Sequence, residues 1–354
     1  MPELPARKAA SYCFVHPVFD ALFVAGGLTF PALFLSRATL QRIPFEALLL
    51  LFNHVHFAGS VVRLYTKPGP PGQHRVLKGM LTPLAFLFVT FAVTRLAGYS
   101  DAIFRLYASV SPFHYSAQAF GIALLYAGRA GFQLTAGERR LLWWSAFLPF
   151  LSAFFLRAYR GIGLGLFLPP GWLAQVPPLQ HGVILVGACL GALAFVVPLV
   201  FWRKVWRWRA GARPPPMILV LLLSNALWWT YFSFTQSLTV VTVFHALQYL
   251  TVVLSTHVAE QSALDGAIGR RRVWHAVAFY AMSFPLGWFL FVGWPWLYDW
   301  AGYDATASAS IVISVVNLHH FAIDAFLWRR SRQRLKSCKG AASIAVRFDA
   351  FAKN

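Results

Sequence analysis

The chain has 354 residues, of which 58% are hydrophobic, 17% aromatic and 12% charged, and its 31 Lys and Arg against 11 Asp and Glu give a formal net charge of +20. A water-soluble domain is typically about 25% charged, and a nucleic-acid binder with this charge needs far more polar surface than a mean hydropathy of +0.59 allows. Composition therefore excludes the ordinary soluble classes and points to an integral membrane protein that keeps its basic residues on one face.

A bilayer core of roughly 30 Å takes about 20 mostly apolar residues per helix. Runs of that kind lie near 17–36, 44–64, 80–99, 103–127, 141–157, 181–202, 216–236, 238–259, 274–294 and 307–328. They predict an all-α, polytopic transmembrane bundle of nine or ten helices, one domain over residues 1–328, followed by a basic tail at 329–354. The first run leads to Arg37 without a small-residue cleavage site and reads as a retained helix. The fifth is short, and the stretch after it, GIGLGLFLPPGW between Arg157 and Gln180, reads as re-entrant or interfacial. The seventh and eighth are separated by a minimal turn around Ser237. Trp202, Trp206, Trp208, Trp294, Trp296 and Trp300 fall at helix ends, where tryptophan anchors a helix in the interface.

Charge placement tests this segmentation independently. With the N-terminus inside, 25 basic residues fall on the cytoplasmic side and only six, Arg37, Arg42, Arg95, Arg105, Arg157 and Arg160, fall outside. Both termini are therefore predicted to be cytoplasmic. The tail beginning WRRSRQRLKSCKG suits anionic membrane lipids, each basic residue contributing on the order of 1 kcal/mol, and no nucleic-acid partner is expected.

Ionisable side chains within spanning helices are costly and mark functional sites. Of eleven histidines, His54 and His56 lie in the second run, His114 in the fourth, His245 in the eighth, and His319 and His320 in the tenth. At 1.5 Å per residue from the cytoplasmic ends, four helices place imidazoles within roughly 10 Å of one another along the membrane normal. Gln118, Gln248 and Tyr249 fall in the same slab. His16 and Asp20, His114 and Gln118, and His320 and Asp324 are each four apart, a spacing that shares a helix face; such partners orient an imidazole and strengthen it as a ligand. His54 and His56, two apart, are not expected to bind the same ion, and adjacent His319 and His320 raise the same difficulty, so one inward histidine per helix leaves about four ligands.

Neutral imidazole suits iron, zinc and copper. A histidine-rich site with few carboxylates, set among apolar helices, points to iron-dependent oxidation of an apolar substrate, because unactivated C–H and C=C bonds offer acid–base catalysis nothing to act on. Tyr115 or Tyr249 supplies a proton in this reading, and one or two non-haem iron ions are the cofactor. Two alternatives use the same residues: a haem-binding electron carrier, and a transporter with a His/Asp proton relay built on helices interrupted at Pro112 and Pro285. The run GIGLG lacks the flanking βαβ pattern of a dinucleotide site.

The motifs His114-Tyr115-x-x-Gln118, His245-x-Leu247-Gln248-Tyr249-Leu250 and His319-His320-Phe321-x-x-Asp324-x-x-x-Trp328 resemble those of a group of histidine-rich bacterial multipass membrane proteins. More distantly, the chain resembles the bacterial and archaeal membrane carotene dioxygenases, which cleave β-carotene to retinal. His16 and Asp20 echo that family's His-Gly-x-x-Asp motif with Pro17 in place of Gly, and His56-Phe57 or His114-Tyr115 its His-Phe motif; its HxxxH pair is replaced by His245 and Tyr249. The resemblance implies a histidine-ligated non-haem iron centre in a helical membrane fold. The expected location is the bacterial inner membrane, and the expected partners are membrane lipids, a lipid or isoprenoid substrate and an electron donor.

Overall fold

The computed structural model describes residues 12–35, 39, 42, 44–66, 91–92, 95, 98–207, 214–232, 238–266, 268–322 and 324. Most of the expected third helix, the turn at Ser237, Trp208 and the basic tail lie outside the described residues. Among those described, every regular element is helical. The principal helices are α1 (Val55–Thr66), α2 (Ser100–Arg129), α3 (Ala136–Leu156), α4 (Pro177–Arg207), α5 (Met217–Leu227), α6 (Leu238–Asp265), α7 (Arg270–Trp288) and α8 (Ala305–Ala322).

Four stretches, Pro177–Trp206, Val241–Asp265, Arg270–Trp300 and Ala305–Ala322, are long and apolar enough to cross a membrane. The 30-residue α2 has the length but is not among them, because its buried positions include the polar Ser109, Ser111, His114, Ser116 and Gln118. Burial ranks these stretches: 56% of the apolar window in Val241–Asp265 of α6 is covered by protein, against 22% in Pro177–Trp206 of α4 and in Arg270–Trp300. Helix α6 is thus central, while α4 turns Leu185, Leu193, Val196 and Val200 outward as an apolar face suited to lipid.

Helix α3 packs along α4; α2 rests on α3 and α5; α6 packs against α7 and α1. The core between them includes Tyr126, Leu142, Phe201, Leu221 and Val252. Thr135 and Glu138 form a reciprocal capping box that starts α3. Pro112 inside α2 has no N–H for the Ala108 carbonyl one turn earlier, and the buried Arg157 at the end of α3 places Nη1 3.5 Å from that oxygen.

The expected first helix, 17–36, is broken. It consists of a turn at Pro17–Phe19, a π-helical turn at Asp20–Val24 and a short helix at Thr29–Ala32. Gly26 makes the break at φ +74, a conformation glycine adopts without strain. A Cβ there would stand 3.0 Å from Ser224 Cβ, and the Ser224 hydroxyl donates to the Gly26 carbonyl at 2.9 Å. Trp228 closes the junction with an indole N–H donated to Thr29 Oγ1 at 2.9 Å.

After α3, the chain forms 3₁₀ turns at Ala158–Arg160 and Gly163–Phe167 and a short helix at Trp172–Gln175. Exposed Phe167 and Trp172 give this connection an amphipathic character. Among the expected anchors, Trp206, Trp296 and Trp300 are exposed, whereas Trp294 is buried against Phe91; its indole faces the core rather than the interface.

Candidate metal centre

Four helical segments bring four imidazoles to one place. His56 comes from the first turn of α1, His114 from the middle of α2, His245 from α6 and His320 from α8. All four are buried. Ring centroids lie 5.0 Å apart for His56 and His245, 4.4 Å for His56 and His320, and 5.1 Å for both His114–His245 and His114–His320. Interplanar angles of 64–78° set the rings edge to face. Ligand atoms of His56, His114 and His245 lie within 4.8 Å of one another, as do those of His114, His320 and Asp324.

The hydrogen-bond inventory is as informative as the distances. Both ring nitrogens of His56 and of His245, and Nε2 of His114 and of His320, are buried without a hydrogen-bond partner. A buried, unpaired polar atom costs about 1–3 kcal/mol, so a cluster of such atoms calls for a partner. Nitrogens at about 2.0–2.1 Å from a shared tetrahedral ion lie roughly 3.3 Å apart, so groups within 4.8 Å of one another need only a small inward adjustment to share an ion. Neutral imidazoles with one flanking carboxylate are the donor set of a transition-metal ion, and these two histidine groups can hold one.

A polar network supports the cluster on one side. The Tyr249 hydroxyl donates to Asp324 Oδ1 at 2.7 Å and lies 2.7 Å from Ser60 Oγ. Ser60 in turn is 2.8 Å from His320 Nδ1. Asp324 Oδ2 stands 3.3 Å from His320 Nε2 and 3.9 Å from His114 Nε2. Aromatic rings pack the remaining sides: Tyr115 stacks on His245 at 3.7 Å and 7°, and Phe321 on His114 at 4.2 Å and 20°.

The other expected site residues fall elsewhere. His54 turns away and stacks on Phe291 at 4.5 Å, and His319 is only half-buried beside its inward neighbour. His16 and Asp20 do not flank the cluster. His16 caps the first turn, its Nδ1 accepting from Val18 N at 3.3 Å, and its extended backbone takes it off the helix face that the four-residue spacing assumes. Asp20 instead accepts from the Phe14 and Val15 amides and from the Tyr126 hydroxyl. Gln118 is adjacent but donates to the His245 carbonyl and to Gln248 Oε1, not to the His114 ring. Ser60 is the residue sequence reasoning missed; its four-residue offset from His56 was the one available sign, and a serine within an apolar helix carries no signal of its own.

Over the described residues, fold and site together define an all-helical protein, with four helices of membrane-spanning length and apolarity, that carries a buried histidine cluster capable of binding a metal. No family model matches the chain, and neither the curated proteins nor the solved structures contain a match to it.

Proposed function

We propose that this chain is an integral-membrane, histidine-ligated non-haem iron oxidoreductase of the oxygenase or desaturase type, acting on a lipid or isoprenoid. The observation that carries this reading is the convergence of six unpartnered imidazole nitrogens from four helices at one fully buried point. His56, His114, His245 and His320 are the ligands, and Asp324 is either a fifth ligand or the carboxylate that orients two of them. Iron bound there supplies redox chemistry that no side chain offers.

The remaining residues hold and shield the site. Tyr249 and Ser60 fix Asp324 and the His320 ring, and in this reading the Tyr249 hydroxyl, bonded to Asp324, is the proton source. Tyr115 and Phe321 lock ring orientation and exclude water. The edge-to-face packing of the four rings leaves no flat slot between any adjacent pair, which favours a bare ion over haem. The 25-to-6 distribution of basic residues supports ten helices with both termini in the cytoplasm, and the motif resemblance supports a bacterial inner membrane. An electron donor belongs to the proposal.

Elemental analysis of the detergent-purified protein tests it. About one metal ion per chain is expected, as a closed histidine cage implies, with iron as the redox-active species and loss of the ion in His245→Ala. A metal-free preparation, or one that keeps its full metal content in His245→Ala, overturns the reading.

A further inference from the structure

One turn from the cluster, Gln118 and Gln248 form a buried amide pair whose hydrogen bonding is incomplete. The backbone carbonyl of His245 can only accept, so Gln118 must present Nε2 to it at 3.2 Å. The same nitrogen lies 3.3 Å from Gln248, which must therefore present Oε1. Both amides are oriented by this chain of constraints. It leaves Gln118 Oε1 and Gln248 Nε2 buried and without partners: an acceptor with free lone pairs and a donor with two hydrogens. Gln118 follows His114 by four residues on α2, and Gln248 follows His245 by three on α6, so each is on the same helix face as a cluster histidine.

An ester or ketone oxygen satisfies the donor alone, and a hydrocarbon satisfies neither. A hydroxyl accepts from Gln248 Nε2 and donates to Gln118 Oε1. No cation in this amide pair is available to hold a carboxylate; Arg63 on α1 is committed to Glu260 and to the Val253 carbonyl. We infer that Gln118 and Gln248 form a hydroxyl-binding subsite, and that the substrate is an apolar chain bearing an alcohol rather than a pure hydrocarbon. This inference rests on the proposed apolar substrate at the histidine cluster and sharpens its class. A site built to hydrogen-bond a hydroxyl discriminates strongly against the analogue that lacks it.

The test is equilibrium binding to the full-length, detergent-purified protein of a radiolabelled C20 isoprenoid alcohol and of the matching C20 hydrocarbon. The alcohol should bind at least about tenfold more tightly to the native chain, since leaving the amides unpaired costs at least that much. The difference should vanish in the double variant Gln118→Met, Gln248→Met, which removes both polar partners at nearly constant volume. Metal content and melting temperature report whether that variant keeps its fold. The single variant Gln248→Met, in which Gln118 keeps its bond to the His245 carbonyl, serves should the double variant not fold. Equal affinity for the two probes, binding of neither, or an alcohol preference that survives in the folded variant overturns the subsite. An alcohol preference in a protein that carries no metal upholds the subsite while refuting the metal-centre reading, so the two failures are distinguishable.

Discussion

His54 and His56 differ by two positions and have opposite surroundings. A two-residue step turns about 200° around a helix, so one ring faces the cluster and the other Phe291; the π-helical turn over Leu49–His54, which gives way to regular helix at Val55, bears on which of the two faces inward. Removing the His56 ring by H56A should abolish metal retention, while H54A should leave the metal content unchanged; ICP mass spectrometry of the two purified variants reads the difference directly. Tyr249 is the second informative residue. Without its hydroxyl, Asp324 Oδ1 keeps only Ser60 at 3.4 Å among the donors described. Losing a group that orients a ligand typically costs about 10–100-fold in metal affinity, so Tyr249→Phe should show a loss of that size in chelator competition with its fold intact.

At the level of elements, the cluster depends on how closely α7 approaches the segment that presents His56. Gly287 makes that approach possible: a Cβ at this position would lie 2.5 Å from the His54 carbonyl oxygen and 3.1 Å from the Val55 nitrogen. Both are backbone atoms, so no side-chain rearrangement can relieve the clash. Gly287→Ala should destabilise the protein by about 1–3 kcal/mol, the usual cost of overpacking, and should lower metal retention because His56 follows directly. Gly121 in α2 provides the control, since a Cβ there meets nothing within 4 Å. Gly121→Ala should be neutral or stabilising by roughly 0.5–1 kcal/mol through helix propensity, and thermal unfolding of the two variants side by side separates a packing effect from a general intolerance of substitution. Pro112 with Arg157 and Gly26 with Ser224 show the same logic: α2 runs unbroken through its proline, and both there and at the break at Gly26 a donor from another part of the chain reaches the backbone carbonyl.

For the whole molecule, the proposed topology makes the +20 charge a matter of sidedness. Reporter fusions at residue 1 and residue 354 should both report a cytoplasmic location; a periplasmic C-terminus would mean that an odd number of spans is present and that the 25-to-6 partition is misassigned. The central place of α6 also follows from the whole. It carries His245, Gln248 and Tyr249, and it is the most buried of the four membrane-length helices.

The sequence by itself determined the helical class, the presence of helices long and apolar enough to cross a membrane, and the common level of the histidines along the helices, because each follows from local composition and from a fixed rise per residue. It also bounded the candidate ligand set of the proposed centre to one histidine from each of four helices. Only the tertiary structure decided which one. Helical rotation is set by π turns and by glycine contacts such as Gly287 on His54, and these depend on neighbours distant in the chain. The same holds for His16 and Asp20, whose spacing suggested a shared face but whose backbone is extended at His16. Depth is additive along a helix; orientation is negotiated between helices, and it is orientation that brings His56, His114, His245 and His320 together.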